Sequence, residues 1–207
     1  MFQAEISDRL VAAELQGQHP AIIGREIIVF EQTASTNDAI LQIATADQKD
    51  GLVLFAEHQT AGRGQRGNRW ESALGKGLWF SILLQPKIQI SDSARLTIWA
   101  IEAISDVIRS ELSLEPAIKL PNDIQIHGRK VAGVLVEMRA QEKAPHLAIV
   151  GIGINVNQSL QDFAPELQSR AISLAMALHR PVDRQKFAVA VLRNLDRTYR
   201  AGFAPKC

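Results

Sequence analysis

The sequence predicts an α+β fold: a mixed, largely antiparallel sheet whose strands read as consecutive neighbours, with helices packed on one face. Three observations carry this. Apolar runs of strand length recur at Leu52 to Ala56, Leu78 to Leu84 and His146 to Val156. The stretch Ile124 to Glu137 alternates about a His127-Gly128 turn, the pattern of an antiparallel hairpin. Ala39 to Ala46 and Ser93 to Ser113 have helical period and lie between strands.

Taken in order, Ala4 to Gln16 places Ile6, Leu10, Val11 and Leu15 on one stripe and predicts a short amphipathic helix ended near Gly17 and Pro20. Little chain precedes the first strand, Arg25 to Phe30, so no N-terminal DNA-reading domain is expected. Ser35, Thr36 and Asn37 precede the helix Ala39 to Ala46, with Asp38 in its first turn. A cap needs only one of these side chains, and the other groups at the helix start are available to a ligand. Gly51 to Glu57 is a strand, and it delivers the segment E-H-Q-T-A-G-R-G-Q-R-G-N-R-W from Glu57 to Trp70. There Gly62, Gly64 and Gly67 alternate with Arg63, Arg66 and Arg69, which makes either a solvated turn or an anion cradle.

A turn at Gly75-Lys76-Gly77 leads to the strand Leu78 to Leu84, stopped at Pro86. The helix from Ser93 has Leu96, Trp99, Ala100, Ala103, Ile104, Val107 and Ile108 as its core stripe. Pro116 to Leu120 is a short strand before the hairpin, and Gly151 and Gly153 mark close approach in the last strand. Phe163 to Gln168 and Ala171 to Leu178 predict short helical turns. The final helix starts at Pro181 to Asp183 and turns Phe187, Val191, Leu192, Leu195 and Tyr199 inward. Arg184, Lys186, Arg193, Arg197 and Arg200 are expected on its solvated side.

The 207 residues suffice for one core, and one domain over 1–207 is expected. A net charge of +1 gives no general attraction to nucleic acid or to a membrane, so anion binding has to be local. The only cysteine is Cys207, which leaves no intrachain disulfide and fits a reducing compartment. With no apolar signal region and no run long enough to span a bilayer, a cytoplasmic protein is expected. Walker, dinucleotide-binding and nucleophile-elbow motifs are missing, and no H-x-x-x-H pair occurs. What remains is Lys130 near Asn122 and Asp123, together with the arginine loop. That set suits two negative groups held side by side, as when a carboxylate meets the α-phosphate of ATP.

S-T-N at 35–37, Q-T-A-G-R-G-Q-R-G-N-R-W at 59–70, K-L-P-N-D at 119–123, R-K-V-A-G-V-L-V-E at 129–137 and G-I-G-I-N-V-N at 151–157 resemble biotin protein ligases in order and spacing. The resemblance implies a biotin/lipoate ligase-like fold and a two-step reaction. Biotin and ATP give biotinyl-5′-AMP, and a lysine of a biotin carboxyl carrier protein of a biotin-dependent carboxylase then displaces AMP. It implies that Ser35, Thr36, Asn37 and Gln59 hold the ureido end of biotin, and that Arg63, Gly64 and Gln65 close over it. Lys130 would bridge the carboxylate and α-phosphate above Gly133, which makes Lys130 and Arg63 the catalytic pair. Arg66, Trp70, Asn122 and Asn155 would serve ATP, and Asp123 would serve Mg²⁺. A homodimer through edge strands is within the family's range.

Three departures qualify the resemblance. Gln65 stands where the family has a second arginine, so looser retention of the adenylate is expected. Leu120 replaces a tryptophan. The chain ends at Cys207, where the family generally continues into an SH3-like C-terminal domain. The rival readings are a lipoate or octanoyl ligase, against which the polar set at 35–37 and Gln59 speaks, and a non-catalytic regulator that binds biotin or its adenylate.

Overall fold

A computed structural model describes residues 9–16, 21–44, 50–141 and 145–203. The strands are β1 (Ile27–Thr33), β2 (Leu52–Gln59), β3 (Gly77–Leu84), β4 (Ala117–Lys119), β5 (Asp123–Ile126), β6 (Arg129–Arg139) and β7 (Leu147–Asn155). The helices are α1 (Ala12–Leu15), α2 (Thr36–Ile43), α3 (Ala94–Leu112), α4 (Leu174–Leu178) and α5 (Arg184–Gly202). One seven-stranded sheet runs in the order β1-β2-β3-β7-β6-β5-β4. Only β1 and β2 pair in parallel, because α2 carries the chain back between them; every other pair is antiparallel.

The mixed, largely antiparallel class is as expected, but two details differ. Neighbouring strands are not simply consecutive: β7 returns to lie between β3 and β6. Nor do all helices share one face. Along β2, Val53 and Phe55 join the main core with the buried stripes of α3 and α5. Leu52 and Leu54 point the other way and pack with Ala39 and Ile40 of α2. With period two, β2 is apolar on both faces, so it can be covered from both sides.

All seven residues of the expected α3 stripe are buried. Trp99 packs on Tyr199 and donates its indole N–H to Thr198. The hairpin turn is as expected, with φ of 51° at His127 and 73° at Gly128, the primed geometry that matches sheet twist. Leu120-Pro121, between β4 and β5, is a cis peptide. Residues 163–170 form turns, and 174–178 form α4. Among the described residues at the N-terminal side, Ala12–Leu15 is helical; Leu10 and Leu15 are buried, and Val11 is exposed. The expected Ile6, Gly17, Pro20, Ala46 and Cys207 features lie outside the described residues. Among the described residues no helix is long and apolar enough to cross a membrane.

One charge departs from the solvated side of α5. Arg184 is fully buried, donates to Gly77 O at 2.8 Å and pairs with Glu57 Oε2 at 2.7 Å. Glu57 Oε1 also accepts Leu10 N–H at 2.7 Å. A buried charge needs such partners, and removing one member of a pair of this kind typically costs about 3–5 kcal/mol. Asp196, one face round on α5, takes the N–H groups of Ala21, Ile22 and Ile23. Glu57 thus pins Leu10 and the start of α5 to the end of β2 that delivers the arginine loop, and Asp196 ties residues 21–23 to the later turns of α5.

Candidate active site

The α2 face of the sheet carries a narrow cleft with about 40 Å³ of free volume. Ser35, Thr36, Asn37, Gln59, Arg63, Gly64, Trp70, Asn122, Lys130 and Gly133 all line it. These residues come from α2, β2, the arginine loop, the turn before β5, and β6. Val134, Leu135, Gly151, Ile152 and Gly153 complete the walls. Gln65, Arg66, Asp123 and Asn155 do not line the cleft.

One end is neutral and polar. Ser35 has the extended backbone of an N-cap, but its side chain makes no capping bond. Gln59 does that work instead: its Oε1 accepts Thr36 N–H at 2.8 Å and Thr36 Oγ1–H at 3.1 Å. Ser81 of β3 lies between Thr36 Oγ1 at 2.8 Å and Asn37 Oδ1 at 2.5 Å. Asn37 is 3% exposed and sits in the gap above Gly151, where an added Cβ would stand 2.3 Å from its oxygen. Thr36 and Asn37, which capping does not require, thus sit on one buried network with Gln59 and Ser81.

Two cations also line the cleft, Arg63 and Lys130. Residues 62–70 form a small ordered hairpin, with Trp70 N–H on Gly62 O and Gly64 N–H on Asn68 O. Arg66 sits at its tip, exposed, with φ 58°. Arg63 donates through Nη1 to both oxygens of Asp38 at 2.6 and 2.7 Å, and through Nη2 to Glu137 at 3.0 and 3.2 Å. The Asp38 hydrogen bond raises the Arg63 pKa further, against the smaller lowering by burial, so it is a cation throughout. Lys130 Nζ lies 2.6 Å from Asp123 Oδ1 and 5.1 Å from the centre of the Trp70 ring.

Lys130 reaches the cleft through a bulge. Gln125 pairs with Lys130 and Ile124 with Ala132, which leaves Val131 as an extra residue of β6. Val131 and Ala132 therefore both enter the core, and Lys130 and Gly133 both line the cleft. Lys130 is also held by its backbone: its N–H bonds Arg170 O, and its C=O accepts Ile172 N–H. Trp70 lies flat on the glycine floor, where an added Cβ would come within 2.4 Å of its ring at Gly153 and 2.9 Å at Gly133.

Asn122 Nδ2 donates to Val134 O at 3.0 Å. Asn155 is buried, donates to Ile172 O and Lys130 O, and accepts from Gln158, so it braces the segment behind Lys130. Among the described residues no group of three or more His, Cys, Asp or Glu can hold a metal. Asp123 alone suits a Mg²⁺ that arrives mainly on phosphate oxygens, and a cage built from protein alone does not fit. Sequence reasoning passed over Asp38, Ser81 and Glu137 as site residues. Glu137 was within reach of it, because Gly133, Leu135 and Glu137 share one face of β6 by strict alternation.

Residues 29–155 match the Biotin/lipoate A/B protein ligase family. The bifunctional ligase/repressor BirA of Bacillus subtilis (strain 168) is 35% identical over 193 residues, covering 91% of this chain. This chain spans 59% of that relative's length. The biotin–[acetyl-CoA-carboxylase] ligase of Mycobacterium tuberculosis (strain ATCC 25618 / H37Rv) is 32% identical over 177 residues, covering 83% of this chain and 63% of the relative. A biotin protein ligase from Aquifex aeolicus, solved in complex with biotin and ATP, superposes with a TM-score of 0.72 at 30% identity, covering 84% of this chain and 70% of that one. The matched span runs from β1 to the end of β7 and so takes in every cleft-lining residue, and the chain belongs to the Biotin/lipoate A/B protein ligase family.

Proposed function

We propose that this chain catalyses ATP-dependent biotinylation of a lysine on a biotin carboxyl carrier protein. The observation that carries the reading is the division of the cleft lining between a buried neutral polar network, built on Thr36, Asn37, Gln59 and Ser81, and two cations beside it, Arg63 and Lys130, each held by acids of the chain. A neutral ureido ring with a carboxylate tail matches that division. The names of the relatives and the biotin and ATP of the Aquifex aeolicus complex support it.

In the first step a carboxylate oxygen of biotin attacks the α-phosphorus of ATP, and pyrophosphate leaves. Both partners are negative, so the site has to cancel their repulsion. Lys130 bridges the carboxylate and the α-phosphate, and Arg63 covers them from the loop. Gly64 and Gln65 close the loop over the ligand, and Gly133 lets Trp70 and Lys130 lie close against the sheet. Ser35, Thr36, Asn37 and Gln59 hold the ring. Arg66, Trp70 and Asn122 serve the nucleotide, Asn155 braces the segment behind Lys130 and does not line the cleft, and Asp123 would be the single protein carboxylate for Mg²⁺. In the second step the ε-amine of the acceptor lysine attacks the biotinyl carbonyl carbon and AMP leaves.

The test is direct. Incubation with biotin, ATP and Mg²⁺ releases pyrophosphate, and addition of an apo carrier domain gives a labelled lysine. Pyrophosphate without labelling leaves only adenylate formation standing. Release with lipoate or octanoate but not with biotin favours the rival ligase. Neither release nor labelling leaves the binding regulator.

A further inference from the structure

Both cations proposed for catalysis are already paired with acids of this chain: Lys130 with Asp123, and Arg63 with Asp38 and Glu137. Glu137 differs from the other two acids. Its Oε2 accepts Arg63 Nη2 at 3.0 Å and also Asn37 Nδ2 at 2.7 Å. One carboxylate oxygen therefore touches the loop cation and the buried amide at the neutral end of the cleft. Asn37 is in turn bonded to Ser81, and Ser81 lies against Thr36. An unbroken chain of polar contacts runs from Gln59 to Arg63, and Glu137 is its junction.

We propose that Glu137 is a positioning residue that couples the neutral end of the cleft to the arginine loop, with Asp38 as the second half of a latch on Arg63. Nη1 alone reaches both oxygens of Asp38 and Nη2 both oxygens of Glu137, so the two acids together orient the guanidinium plane. The side chains of Arg63 and Asp38 are 40% and 42% exposed, and such half-exposed pairs hold weakly. A phosphate or carboxylate in the cleft can therefore compete for Arg63, as a loop that opens and closes requires. A ligand that re-orients the Asn37 amide moves one of the two hydrogen bonds on Glu137 and so shifts the balance at Arg63. The latch itself stands on ligand-free geometry; its coupling to occupancy rests on the biotin reading above.

Hydrogen exchange at the Gly64 and Trp70 amides tests this, because their bonds to Asn68 O and Gly62 O exist only while the loop hairpin is formed. Glu137→Gln keeps an acceptor for Asn37 but removes the charge facing Arg63, and Asp38→Asn removes the other charge. Each variant is expected to speed exchange at these two amides by about threefold, the size of one half-exposed ion pair, with exchange in β3 and β7 unchanged. A merely structural role would instead raise exchange across the sheet. Biotin is expected to protect the loop in the wild-type chain and to protect it less in Glu137→Gln. Unchanged ligand-free exchange at both amides in both variants overturns the latch. Equal biotin protection in wild type and Glu137→Gln overturns the coupling. If the variants open the loop but biotin fails to bind the wild-type chain, the latch stands and the biotin reading falls.

Discussion

Gly153 shows how much of the site depends on a missing side chain. A methyl group there would meet three atoms of the Trp70 ring at 2.9 Å or less. The ring cannot yield at one end as a flexible chain would, so it has to lift from the sheet and take the arginine loop with it. Overpacking of this kind costs about 1–3 kcal/mol, and Gly153→Ala is expected to weaken biotin binding about tenfold, read by calorimetric titration. Unaltered affinity would mean that Trp70 does not set the cleft floor. The requirement for small residues in G-I-G-I-N was legible in the sequence as close approach, but the approaching group was not, since Trp70 lies more than eighty residues away in the chain. Lys130 is the opposite case. Alternation counted along β6 puts Lys130 and Gly133 on opposite faces, and only the extra residue at Val131 brings them together.

At the level of elements, α3 and α5 were legible because their stripes repeat over nineteen residues each. The start of α5 was legible too: Asp183 caps it, accepting Lys186 N–H at 3.0 Å. That backbone hydrogen bond holds the Asp183 carboxyl below its usual pKa. A carboxyl depressed in the folded state adds stability above its unfolded pKa and loses it as pH falls through the folded value. Asp183→Ala is therefore expected to lower stability at neutral pH by about 1 kcal/mol, the usual worth of such a cap. The gap from wild type should shrink as pH falls through and below the carboxylate range, which denaturant titrations at several pH values measure; a constant gap would contradict the ionised cap. The face taken by α2 and the place of β7 were not legible, because strand neighbours far apart in the chain are set by tertiary packing. Arg184 was misplaced for the same reason: its acid partner lies 127 residues away in β2.

Across the whole molecule, the sheet does one thing for the proposed chemistry. It brings the loop after β2 and the bulge of β6 to one cleft on the α2 face, with α3 and α5 closing the core behind. The Arg184–Glu57 pair fixes the end of β2 that carries that loop, and Asp196 ties residues 21–23 to α5. The motifs supplied most of the side chains that line the cleft, and the fold added Asp38 and Glu137 as the acids that hold Arg63. The central claim is that Lys130 lowers the cost of bringing a carboxylate onto the α-phosphate and contributes little to holding the ring of biotin. The most direct measurement is pyrophosphate release by Lys130→Ala at saturating biotin and ATP, with biotin affinity measured on the same protein. The expected result is biotin affinity within about threefold of wild type and release slowed at least about a hundredfold, since losing one preorganised donor to charge developing in a transition state typically costs about 2.7 kcal/mol or more. Release at the wild-type rate would contradict the account.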